Sequence, residues 1–303
     1  MYYLCRAASC IMKGKEKIYS EMDRLRGYSS AYSRSVFSQI MDHDNFDRLT
    51  LLHDRYDKSR KKEKTYLSYI KYMYRKMVAD YRCEYVYKNE IINELLLQEY
   101  AHKDTVIFNE YRIQKSIVDL VMFNGHSRAF EIKTEYDSTF RLAGQLAEYT
   151  KLFQQCYVVV PEKFKDLYLQ EVPENVGIII MKDAEGKLVL EEIRAASFNS
   201  SIEVTLMMKC LRTNEYKSMV KQAYGTIPDV SCFEMYDKCE KLLRLLPNDI
   251  LQEYFINIMK SRKNNTKLLR KVPLEMRQIC LQLGLYSDEI SILLTKLNKP
   301  LKV

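Results

Sequence analysis

"VDLVMFNGHSRAFEIKTEYD", residues Val118–Asp137, decides how this chain is read. Two runs rich in β-branched, aliphatic and aromatic residues flank a turn containing Asn-Gly, which is the pattern of an antiparallel hairpin. The first run nevertheless carries Asp119, and the second sets Glu131 and Lys133 two positions apart inside a hydrophobic stretch. Burying a carboxylate is costly unless it is paired or bound to metal. Two carboxylates and an ammonium in the middle of apolar strands therefore call for a chemical reason.

Side chains alternate along a strand, so Glu131 and Lys133 share one face while Phe130 and Ile132 share the other. Whether Asp119 joins them depends on the turn. A three-residue loop, Asn124 to His126, sets Phe123 against Ser127 and Asp119 against Glu131. A two-residue Asn-Gly turn, the stronger local signal, sets Asp119 against Phe130 instead. The chemistry favours the longer loop. Two carboxylates that close repel unless a cation lies between them, and hard oxygen donors without histidine or thiolate suit Mg²⁺ or Mn²⁺ rather than zinc. The Ile132 carbonyl would add a further oxygen. A lysine beside such an ion is placed to stabilise or deprotonate a water attacking phosphorus, so phosphodiester hydrolysis is the expected reaction.

Outward from this hairpin, "TVIFNEYRI" (Thr105–Ile113) reads as a preceding strand and "YVYKNEIINELLLQEY" (Tyr85–Tyr100) as a helix before it. Ile91, Leu95 and Leu96 form its apolar stripe, with Glu90 and Glu94 on a neighbouring face. Downstream, Ser138–Phe153 has the periodicity of an amphipathic helix with Asp137 or Ser138 placed to cap it. "CYVVVP" is a strand buried on both faces, and "VGIIIM" and "LVLEEI" pair across "KDAEGK". Residues from Ser20 to Asp80 and beyond Ala196 read as helical, and the charge run "DKSRKKEK" (Asp57–Lys64) breaks or solvates a joint between helices. The expected fold is α/β: an αβββαβ core with a mixed sheet over residues 85–196, between α-helical regions at 1–84 and 197–303.

At 303 residues the chain buries a core without staples. Its eight cysteines contain no CxxC pair and it has four histidines, which argues against zinc and disulfides and for a reducing, cytoplasmic setting. No apolar run approaches the ~18 residues of a membrane span, and the start lacks a signal-peptide pattern, so no membrane association is expected. Met12 would serve equally as a start. The net charge of +8 is uneven: residues 1–84 carry +7, residues 85–190 carry −4 and residues 191–303 carry +5. Basic flanks attract phosphate backbones, and an acidic middle suits a divalent cation. Mixed charge that merely solvates helices is the plainer reading of the flanks.

Asp119 followed by Glu131-Ile132-Lys133, in an order of helix, three strands, helix and strand, resembles the PD-(D/E)XK nuclease superfamily, with Val118 in place of the proline of its name. Gln145 and Tyr149 in "GQLAEY" match the Q-x-x-x-Y motif of its RecB-like branch, which includes phage lambda exonuclease. The stretch "FEIKTEYDSTFRLAGQLAEYTKLF" with "YVVVPEKF" is similar to a little-characterised bacterial family of nuclease-type proteins. The likeness covers about Tyr85 to Arg194 and implies a restriction-endonuclease-like core. It implies a Mg²⁺-dependent deoxyribonuclease in which Asp119 and Glu131 bind the ion, Lys133 activates water, Gln145 orients Lys133 or the scissile phosphate, and Tyr149 packs or contacts the backbone. A further acid is implied at Glu110, as in the closer family, or at Glu90. Asp137 and Arg141 also recur there; Arg141 either clamps a phosphate or pairs with Asp137.

Two features lie outside the core. The tyrosines between Tyr66 and Tyr87 either stack on bases or form helix core. Residues Leu274–Lys299 outline a helix, a Gly284 turn and a helix capped at Ser287, which reads as a DNA-binding helix-turn-helix or as a hairpin that only packs. The expected partner is DNA, with a second copy or a partner protein open. The competing functions are a nuclease-fold regulator that has lost cleavage and an effector whose activity depends on a partner.

Overall fold

The computed structural model describes residues 19–60, 62–97 and 105–302. The alternative start at Met12 and the helix end at Tyr100 lie outside the described residues, as do Cys5 and Cys10. The chain is an α/β protein with a six-stranded mixed sheet flanked by helices. It opens with α1 (Glu21–Ala31), α2 (Arg34–His43), α3 (Asp47–Tyr56), α4 (Tyr66–Asp80) and α5 (Glu84–Leu97). Reciprocal capping boxes fix two of their starts, Ser20 with Asp23 for α1 and Thr65 with Ser68 for α4, each satisfying backbone donors that the first turn leaves open.

The sheet follows as β1 (Val106–Ile113), β2 (Ser116–Phe123) and β3 (Ser127–Ile132), then α6 (Leu142–Tyr149), β4 (Gln155–Pro161), α7 (Lys165–Glu171), β5 (Gly177–Ala184) and β6 (Lys187–Arg194). Strands lie in chain order: β1, β2 and β3 are antiparallel, β3, β4 and β5 parallel through the crossovers that contain α6 and α7, and β6 returns antiparallel. The β2–β3 turn is the three-residue one. Phe123 faces Ser127 and Leu120 faces Phe130, and Gly125 takes a φ of 108° that a side chain resists. The β5–β6 hairpin closes on Glu185 and Gly186, both at positive φ, as a two-residue type I′ turn requires.

The remaining helices are α8 (Val204–Lys209), α9 (Thr213–Tyr224), α10 (Met235–Leu243), α11 (Asn248–Ser261), α12 (Arg277–Leu283) and α13 (Ser287–Leu297). One apolar layer joins α1 to α5 with α12, α13 and one face of the sheet, through Leu120, Met122, Phe130, Ile132 and Val159. The other joins α6 to α11 with the opposite face, through Val121, Ala129, Val158 and Ile178. The first five and the last two helices therefore build one layer together, and Leu301 N donates to Lys64 O at 2.9 Å. Parts of the expected regions at 1–84 and 197–303 thus pack on each other, although residues 85–196 separate them in sequence. Among the described residues no helix is long and apolar enough to cross a membrane.

Several local expectations are corrected. The helix expected from Ser138 to Phe153 is shortened to α6, because the Asp137 carboxylate accepts from Thr134 N and Oγ1, each at 2.7 Å, and so closes a turn after β3 instead of capping a helix. The tyrosines of α4 and α5 are core: Tyr66, Tyr69, Tyr72, Tyr74, Tyr85 and Tyr87 are all buried, which removes them as base-stacking surfaces. In the hairpin of α12 and α13, both helices pack into the first layer, with Asp288, Glu289 and Ser291 of α13 exposed. Its start is also bonded from Tyr286 N to Glu289, with Tyr286 rather than Ser287 at the cap.

The charge run after α3 does form a joint, yet its first residue is buried. Asp57 accepts from Arg24 Nη2 at 2.6 Å and from the hydroxyls of Tyr28 and Tyr69, each at 2.7 Å. This one carboxylate ties α1, α3 and α4 together, and removing it leaves a guanidinium and two hydroxyls without their acceptor. Asp57→Ala is expected to destabilise the protein by about 3 kcal/mol, read from urea unfolding, while Tyr28→Phe should cost about 1 kcal/mol; equal, small effects would show that the node is solvated.

Candidate active site

Asp119 sits where the β2–β3 ladder ends. Beyond the Leu120–Phe130 pair its carboxylate takes over from the backbone, with Oδ2 accepting from Ile132 N at 2.8 Å. The pleat is disturbed at the same point. Leu120 and Met122 enter the first apolar layer, whereas Val118, of the same parity, enters the second; on β1, Ile107 enters the first, and Tyr111 and Ile113 the second. The break falls on the facing positions Asp119 and Glu110. Glu110 has a left-handed φ of 54°, which costs a residue with a Cβ about 1 kcal/mol. While β2 parts from β3, β3 stays paired with β4, and Lys133 N donates to Val159 O at 2.9 Å. The opening between the strands is the floor of a cavity of about 660 Å³.

Glu131 is almost wholly buried in that floor. Its Oε1 accepts from Lys133 Nζ at 2.9 Å, and its Oε2 lies 3.0 Å from the Tyr149 hydroxyl, which is also 2.9 Å from the Ile117 carbonyl. Gln145, one turn before Tyr149 on α6, completes the ring: its Oε1 accepts from Lys133 Nζ and its Nε2 donates to the Tyr149 hydroxyl, both at 3.3 Å. A spacing of four on a helix sets two side chains on one face, which is how α6 delivers both to the end of β3. The structure thus brings Asp119, Glu131, Ile132, Lys133 and Gln145 to one cavity, with Tyr149 bonded beneath it. Arg141 and Asp137 line its side, and among the described residues no ion pair joins them.

Of the two further acids considered, Glu110 lines the cavity and Glu90 does not. Glu90 points into the first helical layer, where it is bonded to Tyr74 and to Asn93, and burial raises its pKa. Glu84 and Lys88 are the α5 residues that reach the cavity, and the sequence reading missed both. Lys88 Nζ lies 2.6 Å from Glu84, 3.2 Å from Asp119 and 3.6 Å from Glu110, with only 3% of the side chain exposed. Lys88 stands in a polar run with Asn89 and Glu90, so the sequence does not mark it; the fold does, since Val86, Tyr87, Ile91 and Ile92 around it are all buried. A lysine on a helix buried on all sides must be paired. Asn89, fixed to Leu274 O and Gln278 N, anchors this helix to α12.

Burial raises the pKa of both acids. Asp119 is lifted by burial and held back by Lys88 and the Ile132 amide; Glu131 is lifted by burial and by the charge of Asp119, and held back by Lys133 and Tyr149. For Lys88, burial works against the charge, but Asp119, Glu84 and Glu110 outweigh it and raise the pKa overall. Among the described residues no three histidine, cysteine or carboxylate side chains stand together as a ready-made metal cage. Six carboxylates and four cationic side chains line the cavity, which leaves it two charges short of neutral.

Fold and site together define an α/β protein with a buried carboxylate–lysine cluster at the split of a mixed sheet. Residues 77–282, more than half of the chain, match the family of bacteriophage P4 protein cII, and the chain belongs to that family. Protein cII of Enterobacteria phage P4 is 26% identical over 176 residues, 57% of this chain and 65% of the relative, so the match spans just under two thirds of that protein's length. A solved structure, the SPO1766 protein of unknown function from Silicibacter pomeroyi, is 14% identical, with 47% of this chain and 94% of that one covered at a TM-score of 0.29. An overlap that loose carries no argument.

The coupling of Lys88 to Asp119 is open to direct test. Lys88 favours the ionised carboxylate, so Lys88→Met should move the Asp119 pKa further up, as read by ¹³C-carboxyl NMR titration. Loss of the lysine without any change at Asp119 would show that the pair is not electrostatically linked.

Proposed function

We propose that the protein is a divalent-metal-dependent nuclease that hydrolyses phosphodiester bonds in nucleic acid, DNA before RNA, and that α5 to β4 form a PD-(D/E)XK core of the RecB/lambda-exonuclease type, working in the cytoplasm. The observation that carries this is the convergence of Asp119, Glu131, Lys133 and Gln145 on one cavity floor from three different elements. The donor set fits a hard dication: carboxylates from facing strands, Ile132 between Glu131 and Lys133, and Glu110 opposite Asp119. The two-charge deficit of the lining is what one divalent ion neutralises. When bound, Mg²⁺ or Mn²⁺ would neutralise phosphate charge and make a water more acidic.

The protein groups have separate parts in this reading. Asp119 and Glu131 hold the ion, and the Asp119 bond to Ile132 N fixes its carboxylate. Lys133, held between Glu131 and Gln145, donates to the attacking water or to the phosphoryl oxygen where charge builds up in the transition state. Tyr149 fixes the second oxygen of Glu131, so it positions rather than reacts. Arg141, exposed at the side of the cavity, is available to a phosphate.

One observation favours a second reading. Lys88 already stands 3.2 Å from Asp119, supplying positive charge where an ion would be drawn. A nuclease-derived scaffold that binds DNA without cutting it, or an effector that needs a partner protein or second copy to withdraw Lys88, would have this arrangement. Incubation with supercoiled and linear DNA in Mg²⁺, Mn²⁺ or EDTA separates the two. The nuclease reading expects metal-dependent cleavage that falls about 10²- to 10⁴-fold in Lys133→Ala. Salt-sensitive binding without cleavage, or cleavage indifferent to the lysine, would sink it.

Cleavage should also depend on pH through the raised carboxyls. With metal limiting, so that the metal-free carboxyls set the titration, activity should rise as Asp119 and Glu131 deprotonate, on a limb raised from the ordinary carboxyl value. Lys88→Met should carry that limb to higher pH, because the ionised form loses a favourable charge; a limb displaced to lower pH would contradict the assignment.

A further inference from the structure

The buried part of the cavity is balanced, Asp119 and Glu131 against Lys88 and Lys133, while its exposed rim carries both signs, Glu84, Glu110 and Asp137 beside Arg141 and Lys115. Phe140 lines it with its side chain 92% exposed. Arg141 and Lys115, also exposed, border the same opening, and neither has an ion pair among the described residues. The floor lysines differ, since Lys88 and Lys133 are both taken up by carboxylates. The turn that carries Phe140 is well defined: Phe140 N donates to Ser138 Oγ at 3.2 Å, Leu142 N donates to Thr139 O at 2.9 Å, and Leu142 is buried behind it. Gly144 follows on the first turn of α6, where a Cβ would meet nothing within 4 Å, so the space beside the ring is open. An aromatic ring held out to solvent on the same rim as two cations without ion pairs suits one ligand chemistry, a phosphate chain that carries flat bases.

Resting on the nuclease reading of the floor, we propose that Phe140 is a base-stacking residue, flanked by Arg141 and Lys115 as phosphate contacts, and that the substrate is single-stranded or locally unpaired nucleic acid. In a duplex the faces of internal bases are covered by their neighbours. A ring at the surface can take up only a base that has left the stack or stands at an end. Phe233 is as exposed at 91%, yet it does not border this cavity, so exposure alone does not single out Phe140.

Binding tests this without requiring chemistry. The affinity of a short labelled single strand, and of the blunt duplex of the same sequence, is measured by fluorescence anisotropy in EDTA at fixed salt, for the wild type, Phe140→Ala and Phe140→Trp. The expected result is a loss of about tenfold for the single strand in Phe140→Ala, retention in Phe140→Trp, and no change for the duplex. Unchanged single-strand affinity in Phe140→Ala, an equal loss on both substrates, or a wild type that does not bind single strands would each overturn the proposal. A wild type that binds single strands through Phe140 and cuts nothing supports stacking and overturns hydrolysis. One that cuts duplex DNA with Phe140→Ala indifferent on both substrates does the reverse.

Discussion

The site depends on where one β-ladder stops. Continued pairing of β2 with β3 past Leu120 and Phe130 would give Ile132 N a backbone acceptor, and there would be no opening. The carboxylate of Asp119 takes that donor instead. The sheet parts with its hydrogen bonding satisfied, and Glu131 and Lys133 come to line a hollow rather than a closed face. The cost is two carboxylates in a poorly solvated place, and the pKa of each rises accordingly. Lys88 and Lys133 offset part of that cost.

The rest of the molecule holds this arrangement in place. Lys88 reaches Asp119 because α5 packs across the sheet against β3 and β6, and α5 lies there because α12, late in the chain, is bonded to Asn89. The closing helices and the amino-terminal helices form one layer, so both ends of the chain bear on the same wall of the site. The opposite wall comes from α6, whose shortened start frees residues 138–141 to carry Phe140 and Arg141 to the rim.

Charge follows the same geometry. The buried floor is balanced, Asp119 and Glu131 against Lys88 and Lys133, and the excess acid of the lining lies with exposed residues, Glu84, Glu110 and Asp137. Buried charge elsewhere is met differently: Asp57 is also buried, with a guanidinium and tyrosine hydroxyls at its oxygens.

The sequence by itself determined the alternation of strands and helices, the pairing of Glu131 with Lys133 on one face, and the helical spacing that joins Gln145 to Tyr149, because each is a local periodicity of 2 or 3.6 residues. It also marked Asp119 as out of place in an apolar strand. Only the tertiary structure decided between the two turns at Asn124, between Glu110 and Glu90, and between core and surface for the tyrosines of α4 and α5. Those choices are made by contacts between segments far apart in the chain. Lys88 is the clearest case: along the helix it stands in a polar run with Asn89 and Glu90, and it becomes part of the site only when α5 is laid against the break between β2 and β3.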